Sequence, residues 1–253
     1  MKEYPLTARG MLITTLVLIL ALLLSPKVMQ SEAGAETVEF ADANLEQSVR
    51  EALESEEEPL CSDEVADLEW FRPQERGIES LQGIEQLHSL SRLELEGNEI
   101  TDISPLAELD ELKWLNLSDN SIDDISPLGE LEELRFLYLA ENDLGDISPL
   151  SRLEGLMLLD LSENELDSAE ALSSLQDLSV LYLQHNHLEE IAALEGLEEL
   201  TIVDVSHNNI RDIKPLTELE GLNSLKLTAN DLGNDAPLCR LTDLRELKVK
   251  ISN

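Results

Sequence analysis

The stretch that decides the fold is Leu90-Ser91-Arg92-Leu93-Glu94-Leu95-Glu96-Gly97-Asn98-Glu99-Ile100-Thr101-Asp102-Ile103-Ser104-Pro105-Leu106. Leucines stand at 90, 93 and 95 and an asparagine at 98. Apolar residues then follow at 100, 103, 106 and 109. Asparagine recurs at 98, 120, 142, 164, 186, 208 and 230, each time 22 residues after the last. Around each one the spacing LxxLxLxxN is kept, with Val203 and Val205 filling two slots before Asn208. The segment Asp-Ile-Ser-Pro-Leu appears at 102–106, 124–128 and 146–150.

A fixed period in the range of 20–29 residues with this consensus specifies leucine-rich repeats. The LxL core alternates, so it forms a short strand with its leucines on one side. The asparagine follows where the chain must turn. Its amide can donate to and accept from turn groups that no strand ladder reaches. Proline in Ser-Pro-Leu suits the first position of a short 3₁₀ or helical turn on the convex side. One repeat cannot bury its own leucines, but a stack closes a continuous core. The expected fold class is therefore α/β: a right-handed leucine-rich repeat solenoid, with a curved parallel sheet and short convex turns.

The flanking sequence departs from the pattern, as capping units do. One period before Asn98 stands Arg76, and Pro73 occupies a strand-leucine slot, while Ile78, Leu81 and Ile84 hold the register. Residues 68–89 read as a degenerate first repeat. Leu45, Val49 and Leu53 are four apart, and Asp42 or Asn44 can cap a helix over about 43–55. A second short helix is expected near Ser62, with Asp63 and Glu64 in its first turn. These helices form an N-terminal helical cap over residues 36–67, ahead of the solenoid at 68–253. Leu247 and Val249 belong to a last strand, whose Lys248 and Lys250 discourage edge pairing.

The first 35 residues read as an address. Lys2 and Arg9 precede an uncharged run over 11–24, and Ser31-Glu32-Ala33 and Ala33-Gly34-Ala35 both fit a small-x-small cleavage site. The segment is a signal peptide or an uncleaved signal anchor, and no cysteine follows it to suggest a lipoprotein.

Composition narrows the function. The 253 residues carry 17 Lys and Arg against 54 Asp and Glu, a net charge of −37. That excludes charge-driven binding to nucleic acid or an anionic membrane, which needs clustered cations. It favours a cationic partner, a bound divalent metal or a salty environment. Cys61 and Cys239 lie about eight repeats apart, roughly 40 Å along a stack, which no disulfide can bridge. Both are expected as free thiols. There is no HExxH, nucleophile elbow, phosphate loop or glycine fingerprint, and the four histidines lack a Ser or Cys partner at a suggestive location. The chain reads as a non-enzyme without a cofactor.

Phe40-Ala41-Asp42-Ala43-Asn44-Leu45-Glu46, the Gly77-Ile78 pair and the Asp-Ile-Ser-Pro-Leu repeats resemble internalins and related bacterial secreted leucine-rich repeat proteins. The resemblance covers residues 38–253 and implies a protein-binding concave face. The repeat type is also similar to that of a cytosolic phosphatase-regulator subfamily. No sequence here reads as the immunoglobulin-like domain that often follows internalin repeats, nor as an LPxTG-type sorting signal. Host adhesion is therefore not implied.

Residues between the leucines point away from the core. Six before each asparagine stand Arg92, Trp114, Phe136, Leu158, Val180, Ile202, Ser224 and, one period on, Glu246. Four before stand Glu94, Asn116, Tyr138, Asp160, Tyr182, Asp204, Lys226 and Lys248. Trp114, Phe136, Tyr138, Leu158, Val180, Tyr182 and Ile202 thus share one outward surface and are the candidate partner-binding residues. The competing reading is that aromatic and β-branched residues simply suit strands and pack sideways. The same face runs from Glu94 and Glu96 towards Lys226, Arg245, Lys248 and Lys250, a charge gradient that would orient a partner. Asp119, Glu141, Glu163, His185 and His207, one before each asparagine, read as a solvated rim rather than a metal site. The Asn116-Leu117-Ser118 sequon lies on a strand, and Glu54, Glu56, Glu57 and Glu58 read as a solvated loop.

Three functions follow as expectations. One is an exported protein-binding module, monomeric, secreted or at the cell envelope, touching membrane only through an uncleaved N-terminal segment. The others are a salt- or Ca²⁺-adapted structural envelope protein and an intracellular phosphatase-regulator-like scaffold.

Overall fold

The computed structural model describes residues 37–55, 59–233, 237, 241 and 244–248. Residues 1–35, expected from the sequence as a signal peptide or anchor, and Glu56, Glu57, Glu58, Cys239, Val249 and Lys250 lie outside them.

Among the described residues of the unit that begins at Val38, two helices precede nine strands. Helix α1 spans Ala43–Leu53 and α2 spans Ser62–Val65. The strands are β1 (Trp70–Phe71), β2 (Arg92–Glu94), β3 (Trp114–Asn116), β4 (Phe136–Tyr138), β5 (Leu158–Asp160), β6 (Val180–Tyr182), β7 (Ile202–Asp204), β8 (Ser224–Lys226) and β9 (Glu246–Lys248). They pair in chain order in one curved open sheet, all parallel. The register follows the repeat: Trp114 faces Phe136, Phe136 faces Leu158, and Leu158 faces Val180. The inward leucines, such as Leu93, Leu115, Leu137, Leu159 and Leu181, are fully buried in one core that runs from the cap to Leu227. In β1, Phe71 takes the leucine slot, with Leu68 packed against the core and Pro73 buried at the strand exit.

The convex side is a row of 3₁₀ turns. Ser104–Glu108, Ser126–Glu130 and Ser148–Arg152 each carry proline in the first two positions. The aspartate of each Asp-Ile-Ser-Pro-Leu segment starts its turn. Asp102, Asp124 and Asp146 each accept the N–H of the serine two residues on, at 2.8–2.9 Å. The Ser104 hydroxyl and N–H hold the Asp102 carboxyl below its usual value.

The asparagines fasten one repeat to the next. Asn164 Nδ2 donates to the carbonyls of Leu161 in its own turn (3.2 Å) and Leu139 in the preceding one (2.9 Å). Its Oδ1 accepts the N–H of Leu144 in the preceding repeat at 3.0 Å. Asn98, Asn120, Asn142, Asn186, Asn208 and Asn230 repeat this arrangement. All but Asn120 are buried. Asn98 also accepts from Arg76, so the degenerate repeat that lacks its own asparagine is held by its successor.

The residue before each asparagine, and Glu75 before Arg76, is left-handed. Glu75, Gly97, Asp119, Glu141, Glu163, His185, His207 and Ala229 have φ between 53° and 70°. Each N–H down to His207 donates to the next repeat, as Glu141 does to Ser162 at 2.9 Å. The rim is thus a column of strained backbone that turns the chain out of the strand. Glycine relieves that strain at position 97 and nowhere else in the column.

Asp42 builds the cap. Its Oδ1 accepts from Asn44 and Leu45 at the start of α1, while Oδ2 accepts from Glu79 and Ser80 of the degenerate repeat. Burial opposes its charge, but the four N–H groups prevail and hold its carboxyl below the usual value. Asn44, the other candidate cap, instead donates to the Gly77 carbonyl. Helix α1 ends at Leu53, two residues short of the expected limit, because Glu54 turns left-handed with φ 52°. Gly83 has φ 107°, and a Cβ there would lie 2.4 Å from the Glu39 carbonyl oxygen, so only glycine fits.

Two substitutions test this frame. Asn164→Ala strands buried turn groups in two repeats and should cost about 1–3 kcal/mol in chemical denaturation; unchanged stability would remove the ladder from the account. Glu141→Gly relieves the left-handed strain but frees the unfolded chain. A net gain of about 0.5–1 kcal/mol is expected, and a loss would show that the rim is unstrained.

Candidate functional site

The concave face is built by two outward positions of each strand. All seven sequence-derived candidates lie there, carried by β3 through β7, and all seven are half-buried rather than fully exposed. The reason is mutual packing. The Trp114 ring lies 4.9 Å from that of Phe136 and 5.3 Å from that of Tyr138, tilted by 31° and 34°. Leu158, Val180 and Ile202 continue the same row on successive strands, and Tyr182 stands two strands from Tyr138 across Asp160.

The row also extends the other way. Trp70 pairs with Arg92, so it is the first member of the Trp114 column, and it is 52% exposed. The Arg92 guanidinium lies 4.3 Å from the Trp114 ring centroid and 5.3 Å from that of Trp70, and Arg72 covers Trp70 at 5.4 Å. Trp70 belongs to the degenerate repeat, where the asparagine that anchors the count is missing. Counting 22 back from Arg92 reaches it.

Several charges on this face pair with a neighbour among the described residues. Arg92 meets Glu94 at 2.6 Å. Lys226 meets Asp204 at 2.8 Å, and Lys248 meets Glu246 at 2.7 Å. The hydrogen bond from Lys226 to Asp204 raises the lysine above its ordinary value. Asp160 differs. Burial pushes its carboxyl up, against hydrogen bonds from the Ser162 hydroxyl (2.6 Å) and N–H (3.0 Å). Burial, and then the Asp160 charge, also push the Tyr138 hydroxyl up.

The rim contains one further ring contact, His185 stacked on His207 at 4.1 Å and 9°. Among the described residues no group of three or more His, Cys, Asp or Glu stands where it could hold a metal ion. Asn116 of the sequon donates to Glu96 and accepts from Ser118. Cys61 is a partly exposed free thiol. No helix among the described residues is long and apolar enough to cross a membrane.

Stacked parallel strands, convex 3₁₀ turns and an asparagine ladder define a leucine-rich repeat protein. The leucine-rich repeat family model matches residues 88–144. The crystal structure of internalin C2 from Listeria monocytogenes superposes with a TM-score of 0.81 at 27% identity, over 87% of this chain and 100% of that one. The internalin InlF of the same organism gives 0.72 at 31% identity, over 88% of this chain and 75% of that one. No curated protein sequence matches significantly. The chain belongs to the internalin-like leucine-rich repeat proteins.

The Lys226–Asp204 pair yields a test. The Asp204 side chain is 5% exposed and that of Lys226 is 38% exposed. Lys226→Met leaves a buried carboxylate without its cation and should cost about 1–2 kcal/mol, reduced from the fully buried case by solvent at the lysine. The lysine is raised on folding, so its stabilisation is fully present below its ordinary value of 10.5 and fades as pH rises through the folded value. Denaturation of wild type and variant should therefore converge at alkaline pH. Curves that stay parallel would show that the pair is not coupled to folding.

Proposed function

We propose that this chain is an exported protein-binding module that takes a protein or peptide on its concave face. Trp114, Phe136, Tyr138, Leu158, Val180, Tyr182 and Ile202 are the contact residues, with Trp70 at the margin. The observation that carries the reading is a half-exposed apolar row across five adjacent strands, β3 to β7, in a protein whose repeats already fill their own core. Such a row gains by being covered. Large aromatics that lose little conformational freedom make effective anchors.

Export belongs to the same proposal: residues 1–35 act as a signal peptide or anchor ahead of a cap at 36–67 and a solenoid at 68–253. The product is a monomeric, secreted or envelope-held protein without catalytic activity. The membership in the internalin-like proteins supports a binding role over the phosphatase-regulator alternative.

The test uses a displayed peptide library selected on the full chain. Trp114→Ala with Tyr138→Ala should cost the selected binders about 2–4 kcal/mol per central anchor. The rings also pack on each other, so the same variant should lose stability, by about 0.5–1.5 kcal/mol per ring pair. Selected binders that hold the double variant as tightly as wild type would place binding on another face.

A further inference from the structure

The second outward position of the strands holds three carboxylates among the described residues: Glu94, Asp160 and Asp204. Two have an intramolecular cation. Arg92 lies on Glu94 at 2.6 Å, and Lys226 reaches Asp204 from the next strand at 2.8 Å. Asp160 and Asp204 sit in the same local pattern, aliphatic-Asp-aliphatic-Ser: Leu159-Asp160-Leu161-Ser162 and Val203-Asp204-Val205-Ser206. In each, the N–H and hydroxyl of the following serine bond to Oδ1 of the aspartate. In each, that leaves Oδ2 for a partner, and in Asp204 it is Oδ2 that takes the Lys226 ammonium. The strand after Asp204 offers Lys226 at the facing position; the strand after Asp160 offers Tyr182. No ion pair to Asp160 exists among the described residues, and its carboxyl is correspondingly pushed up by burial. Tyr138 and Tyr182 flank it in register on the neighbouring strands, about 4.8 Å to either side. Just past β6, the side-chain carbonyl of Gln184 is buried without a donor.

From this we infer that Asp160, between Tyr138 and Tyr182, is a socket for a lysine or arginine side chain of the protein that binds the concave face. Lys226 on Asp204 is the internal precedent for the occupant's chemistry. A carboxylate satisfies the cation's charge and hydrogen bonds, and flanking tyrosine rings are favourable neighbours for an ammonium or guanidinium. The apolar row would supply most of the contact area, and the socket would set register and select a basic residue at one point of the partner. The inference rests on the concave-face reading and specifies its partner.

The socket can be tested without the partner. The probes are N-acetyl-arginine methylamide and N-acetyl-lysine methylamide, with the uncharged N-acetyl-norleucine methylamide as control. They are titrated into the full chain, and the Asp160 carboxyl and the Tyr138 and Tyr182 rings are followed by NMR. Both cationic probes should shift these signals saturably and lower the midpoint at which Asp160 titrates. Asp160→Asn should weaken them at least about tenfold, the loss of one charge-assisted contact. Equal binding to the variant, or no response at Asp160, overturns the socket. Norleucine shifts at Trp114 and Phe136 alongside a silent Asp160 would leave the concave-face reading standing and remove only the socket. Peptides selected from the library supply the second measurement: binders lost with the Trp114 and Tyr138 substitutions but indifferent to Asp160→Asn reject it as well.

Discussion

Everything in this molecule depends on closing the turn that follows each three-residue strand. A parallel ladder satisfies the strand, but the chain then reverses towards the convex side with its backbone groups buried. The asparagine amide is short enough to lie inside that turn and carries both a donor and an acceptor. It donates to carbonyls of two repeats and accepts an N–H from the earlier one. The strain at the preceding residue is the other half of the arrangement. A left-handed residue redirects the chain so that the asparagine can face inward, and its own N–H extends the inter-repeat ladder.

With the turns closed, the leucines need only fill a tube of constant section, and the outward strand positions are released from any duty to the core. Trp114, Phe136 and Tyr138 lie against one another, and Arg92 joins Trp114 to Trp70. These rings are already packed together, so little of their conformational freedom remains.

The repeat period made the strands, the core and the asparagine ladder legible, because each needs one residue type at one spacing. The seven candidates on the concave face were legible for the same reason, since alternation dictates which residues point outward. What escaped depends on conformation or on pairs. Asp119, Glu141, Glu163, His185 and His207 read as a solvated rim because their residue types are polar; only Gly97 hinted that the position is left-handed. Trp70 was hidden by a repeat that has Arg76 where its asparagine belongs. The pairing of Lys226 with Asp204 and of Arg92 with Glu94 also escaped, because composition does not say which neighbours meet.

The backward reach of the asparagines has a consequence for how the chain is made. Each Oδ1 accepts from a residue 20 positions earlier, and each Nδ2 donates to a carbonyl 25 positions earlier. A repeat leaving the ribosome thus carries a turn that only its successor can complete. Native structure would advance during synthesis with a lag of one repeat, each newcomer sealing the unit before it. The cap formed by α1 and Asp42, made first, gives the growing stack a finished surface on which to start.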